Sequence, residues 1–161
     1  MKYVLFLFLI LGGFTSMAQS GTESKLPPNE KFDASHVFWR FSIGKNEDKT
    51  IIQAIATIED GWHIFSSDPG GDGSLTATQI EIDELKKFKT PIEIENGEGW
   101  IENNLEGIGA VRYFEKQGVF TVKFVAPSTV KTFTGNIHFQ ICNDVMCMAP
   151  TSKAFTLSLK K

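Results

Sequence analysis

The sequence has no C-x-x-C pair, no excess of basic residues and no internal repeat. Beyond its first residues it has no apolar run long enough to cross a membrane. Each absence narrows the possibilities. With 16 Lys and Arg against 19 Asp and Glu, the net charge is -3, so nucleic acid is not an expected partner. The acidic balance mainly serves solubility. Without C-x-x-C, the two cysteines form a weak motif by themselves. Without a repeated methionine pattern, a copper site lacks its usual ligand set. No convincing helical periodicity is present, which points to a β architecture.

What is there begins with an export signal. Lys2 supplies a positive end, Tyr3 to Phe14 is apolar apart from Gly12-Gly13, and Ser16-Met17-Ala18 places small residues where a signal peptidase cuts. The run is short for a span of about 30 Å of hydrocarbon. Residues 1–18 are therefore expected to be a signal peptide cleaved after Ala18, and the product a soluble exported protein. No cysteine follows that point, which argues against a lipoprotein. Residues 19–31, rich in Ser, Gly, Pro and charge, read as a flexible lead-in. Residues 32–161 read as one domain of ordinary size.

Within that domain, short alternating segments recur. Val37, Trp39, Phe41 and Ile43 alternate with Phe38, Arg40 and Ser42. Lys49 to Ile58 is β-branched and alanine-rich. Asp60-Gly61 marks a turn, and Trp62 to Phe65 is extended. Ser66 to Ser74 reads as a loop, Leu75 to Ile82 as a strand, and Pro91 to Ile94 as a short strand; Glu84 to Lys89 has room for one helical turn, but Asp83-Glu84 and Lys86-Lys87 favour a solvated hairpin. Ala110 to Glu115 and Gly118 to Val125 read as the two arms of a hairpin. Phe133 to Cys142 and Ser152 to Leu159 close the chain. Many short strands with regular turns imply an all-β, antiparallel β-sandwich, expected to be monomeric, with helix at fewer than one residue in ten.

The cysteines lie at the end of an alternating run in which Ile137, Phe139 and Ile141 are apolar and Asn136, His138 and Gln140 polar. Alternation places Cys142 on the polar side, away from Phe139. The pair is thus expected to be accessible, with Cα atoms about 4.4–6.8 Å apart if bonded. A bond closing so short a loop contributes only about 2 kcal/mol. Three functions stay open on the residues alone. One is a redox-active dithiol. Another is an exported binding module with a structural disulfide. The third is a soft-metal, copper-type site drawing on Cys142, Cys147, Met146, Met148 and either His63 or His138.

Two segments taken together carry a resemblance. Phe139-Gln140-x-Cys142-Asn143-Asp144-x-x-Cys147-x-x-Pro150, with Asp60-Gly61-Trp62-His63-Ile64-Phe65 upstream, resembles the N-terminal periplasmic domain of thiol:disulfide interchange protein DsbD, over about Phe32 to Leu159. The resemblance implies an immunoglobulin-like β-sandwich with the redox pair on an inserted hairpin, and no cofactor. It implies protein-disulfide reductase chemistry, as used in cytochrome c biogenesis, with Cys147 meeting the partner and Cys142 resolving.

The resemblance also implies site surroundings. Trp62, His63 and Phe65 take the place of family aromatics beside the cysteines. As an ordinary cluster, Trp62 and Phe65 would instead pack the core and leave His63 exposed. A cap loop is implied over Trp100 to Gly107, with Leu105 as a lid on the sulfurs. Here the chain departs from the family, carrying Asn103-Asn104 where the family has acids and Leu105 where it has an aromatic. Ala149 departs from a double proline. The implied partners are a thioredoxin-like or membrane-embedded electron donor and oxidised periplasmic thiol proteins as acceptors. Since the chain stops at Lys161, the donor is expected to be a separate protein.

Overall fold

The structure, a computed structural model, describes residues 31–32, 35–88 and 92–159. The expected signal peptide, and the lead-in apart from Lys31, lie outside the described residues.

Eleven strands and one short helix form three antiparallel sheets among the described residues. In the first, the order is β1 (Val37–Asn46), β2 (Lys49–Ile58), β8 (Gln117–Phe124), β5 (Glu93–Asn96). The second runs β10 (Ile141–Cys142), β3 (His63–Gly70), β7 (Gly109–Glu115), β6 (Ile101–Leu105). The third runs β11 (Thr151–Ser158), β9 (Thr132–Phe139), β4 (Gln79–Ile82). This is the expected immunoglobulin-like antiparallel sandwich.

The core follows from strand alternation. Along β2, Thr50, Ile52, Ala54 and Ala56 turn inward. The two alanines sit across from large rings, Ala56 opposite Trp39 and Ala54 between Phe41 and Phe120. Small against large lets the layers interdigitate. Trp39 then meets Phe139 of the facing sheet edge-on, with centroids 5.2 Å apart. Phe114 meets Phe120 at 5.3 Å, and Phe124 meets Phe133 at 5.3 Å. Such edge-to-face pairs add about 1 kcal/mol each beyond their buried area.

Four local expectations are corrected. Asp83–Phe88 is a helix, α1, where a solvated hairpin was expected. Its acids lie in the first turn and its lysines in the last, complementing the helix dipole. Leu85 is buried, and the Glu84 carboxylate accepts bonds from the Thr134 backbone N–H (2.9 Å) and hydroxyl (3.0 Å). Next, β3 continues through Gly70 where a loop was expected. It bulges between Phe65 and Gly70, and Thr78 clamps the bulge by donating its hydroxyl to the Phe65 carbonyl at 2.6 Å.

The third correction concerns Trp100 to Gly107. This segment is mostly the edge strand β6, hairpinned to β7, and not a loop. The fourth concerns β7 and β8, which are consecutive but do not pair. The chain crosses between sheets at Lys116, whose φ is +59°. Gly118 allows the crossing, since a Cβ there would lie 3.1 Å from the Phe114 ring.

Candidate functional site

The cysteines reach their positions because the last core strand changes sheets. β9 ends at Phe139, Gln140 interrupts it, and β10 joins the second sheet with Ile141 opposite Ile64 and Cys142 opposite His63. Alternation continues across the join. Ile141 enters the main core with Ile64 and Phe114, and Cys142 faces the other side of the sheet.

That other side is not solvent. Cys142 forms a second small core with Phe65 and Val111, against which Leu75, Ile108 and Tyr113 pack. Cys142 is only 1% exposed. The expectation that both cysteines are accessible is therefore corrected for Cys142. The polar face predicted by its neighbours is covered by a bulged strand and a returning loop. Cys147 alone of the two is exposed.

The two residues are bonded, with Cα atoms 4.0 Å apart. They face each other as an antiparallel pair without mutual hydrogen bonds. The bonds flank them, Met148 N–H to Ile141 O and Asn143 N–H to Met146 O, both 2.9 Å. Such pairs are the narrow ones in an antiparallel ladder, at about 4.5 Å, and this places the separation below the range expected for disulfides in general. Asn143 builds the turn. Its side-chain oxygen accepts from the N–H groups of Val145 (2.9 Å) and Met146 (2.8 Å), the local bonding that suits Asn to turns. Gln140 fastens the return strand by donating to the Met148 carbonyl at 3.0 Å. The tip projects apolar side chains, Val145 at 90% and Met146 at 52% exposure.

Of the upstream motif, the structure brings His63 and Phe65 to the cysteines and sends Trp62 elsewhere. Gly61, at φ +82°, closes the turn in which the Trp62 N–H donates to the Glu59 carbonyl at 3.1 Å. Trp62 packs on the main core and stacks on His36, with centroids 4.0 Å apart. His63 contacts the rings of Phe65 (5.7 Å) and Tyr113 (4.8 Å). Burial holds its pKa below the usual histidine value, while the carboxylates of Glu115 and Asp144 pull the other way.

Asn103, Asn104 and Leu105 lie on β6, three strands across from β10, and all are exposed, Leu105 at 38%. By register Asn103 and Leu105 share the Cys142 side of the sheet and Asn104 faces away. The residues packed on the Cys142 cluster from this region are Ile108, at the turn after β6, and Leu75. Gly71 makes their seat, since a Cβ there would lie 2.9 Å from Ile108 and 3.4 Å from Leu75.

His138 is on the third sheet, 3.3 Å from the Glu81 carboxylate. Met148 packs against the main core. Among the described residues, no group of three or more His, Cys, Asp or Glu is placed to hold a metal ion, and no helix is long and apolar enough to cross a membrane.

Tyr113, Val111, Glu115, Ile108 and Leu75 were missed in the sequence. Alternation in Ala110 to Glu115 does put Val111, Tyr113 and Glu115 on one face. With that segment read as pairing β8, however, nothing linked the face to the cysteines.

The domain is thus an antiparallel β-sandwich that buries Cys142 and exposes Cys147 on a projecting hairpin. The sequence pattern of the N-terminal domain of thiol:disulfide interchange protein DsbD matches residues 28–159, and the chain belongs to that family. No curated protein matches it. The N-terminal periplasmic domain of ScsB from Proteus mirabilis shares the fold, with a TM-score of 0.59 and 17% identity, over 83% of this chain and 49% of that one. The chain thus spans about half the length of that relative. The reduced DsbD N-terminal domain of Neisseria meningitidis gives a TM-score of 0.49 and 14% identity, over 74% of this chain and 84% of that one.

Proposed function

We propose that the domain carries an electron pair between exported proteins through Cys142 and Cys147. The observation that carries this reading is the asymmetry of the two cysteines, Cys147 exposed on a hairpin and Cys142 buried at its root. In the reduced form, the Cys147 thiolate attacks a partner's disulfide. A mixed disulfide forms and one partner thiolate leaves. Cys142 then attacks the Cys147 sulfur, the intermolecular bond breaks, and the second partner thiolate leaves. The partner's disulfide has gained two electrons, and Cys142–Cys147 is the oxidised product. A separate dithiol, thioredoxin-like or fed from a membrane, returns the pair to the reduced state.

The partner contacts Cys147 together with Val145 and Met146, whose side chains are exposed on the same hairpin. Leu75 and Ile108 pack on the small core that buries Cys142, and the β6–β7 turn that carries Ile108, with Leu105 at its base, acts as the cap. The place of action is the periplasm, as for the ScsB domain, with residues 1–18 as the export signal and 32–161 as the working unit.

Trapping tests the assignment. Cys142→Ser, reduced and mixed with an oxidised protein partner, is expected to accumulate a mixed disulfide through Cys147. Cys147→Ser leaves only the buried sulfur and is expected to accumulate almost none. Equal trapping by both variants contradicts the roles given to the two sulfurs.

A further inference from the structure

Resting on the exchange reading, we infer that His63 is the proton acceptor that turns the buried Cys142 thiol into the attacking thiolate of the resolving step. The register puts His63 directly opposite Cys142 on the adjacent strand and on the same side of the sheet. Side chains so paired have Cβ atoms about 5 Å apart. The imidazole also contacts the Phe65 ring (5.7 Å) and the Tyr113 ring (4.8 Å), which limits its freedom.

The need for an acceptor comes from burial. At 1% exposure, Cys142 meets little water, and an apolar surround of Phe65, Val111, Leu75 and Ile108 disfavours a thiolate. Cys147 is exposed and can lose its proton to solvent. The two sulfurs therefore need different routes to the thiolate. The titratable and charged groups facing His63 are Glu115 and Tyr113 from β7, Asp144 from the hairpin, and Cys142 itself. Burial favours the neutral ring, which can take a proton at neutral pH. The two carboxylates favour the imidazolium once it forms.

The step balances. The Cys142 S–H proton passes to the imidazole, and the Cys142 sulfur attacks the Cys147 sulfur. The bond from Cys147 to the partner's sulfur breaks, and the partner leaves as a thiolate that recovers a proton from the imidazolium or water.

The test uses the reduced full chain and dithionitrobenzoate, an aromatic disulfide with a coloured thiolate. Attack by Cys147 releases one coloured thiolate, and resolution by Cys142 releases the second. In stopped flow, the wild-type second step is expected to quicken with pH across an inflection below 6.5, the ordinary histidine value. His63→Gln is expected to slow the second step at neutral pH by roughly a hundredfold, to abolish the inflection and to leave the first step unchanged. Glu115→Gln, at an exposed position, removes an anion that favours the imidazolium and is expected to move the inflection to lower pH. This second arm holds even where His63→Gln fails to fold. The inference is overturned by a second step with the same rate and pH profile in His63→Gln as in wild type, or by an inflection that stays in place in Glu115→Gln. A wild-type protein that never releases the second thiolate overturns the exchange reading itself, and this inference with it.

Discussion

Two cysteines five positions apart differ in exposure because of three residues between Phe139 and Asn143. Gln140 ends one strand, Ile141 turns to the main core, and Cys142 faces the small one. The alternation that governs them was legible in Ile137, Phe139 and Ile141. The burial of Cys142 was not, because the small core around it draws on Val111, Leu75 and Ile108, distant in sequence and without a motif. This gives a prediction at the residue scale. Ile108→Ala is expected to speed reduction of the oxidised protein by dithiothreitol several-fold, by loosening the small core that buries Cys142. Leu105→Ala, at an exposed position, is expected to change that rate less. A larger effect from Leu105 in such rate measurements would place the lid on β6 itself.

Among the elements, β2 and β8 were read with nearly their observed bounds because each has one face in the core and clear alternation. The misreadings share a cause. β6 is exposed at every position, so it has no apolar rhythm to reveal it. α1 is too short for helical periodicity and is held by Glu84 reaching Thr134, fifty residues on. β7 and β8 each alternate well, but alternation does not say which strand pairs with which. One glycine, however, marks a close approach. At Gly135 on β9, a Cβ would lie 2.0 Å from the Glu81 carbonyl oxygen of β4 and 2.8 Å from the Phe155 ring. A backbone carbonyl cannot rotate away as a side chain does. Gly135→Ala is therefore expected to loosen β4 from β9 and lower stability by about 3 kcal/mol. The urea midpoint checks this, and an unchanged midpoint contradicts the packing described.

At the scale of the whole molecule, the sandwich gives the hairpin a rigid base and leaves its tip free. The main core takes Ile141 and Met148 at the root of the hairpin, while Val145 and Met146 stand clear. A domain with so extensive a core does not need a bond that closes six residues, worth about 2 kcal/mol, to stay folded. The disulfide is then available for chemistry. The central claim, that Cys142–Cys147 exchanges with partners, is tested most directly by the equilibrium reduction potential of that bond in a defined thiol–disulfide buffer. The exchange reading predicts a value between about −180 and −270 mV, the range of the exchange proteins themselves. A value below about −300 mV, as in structural disulfides, contradicts it.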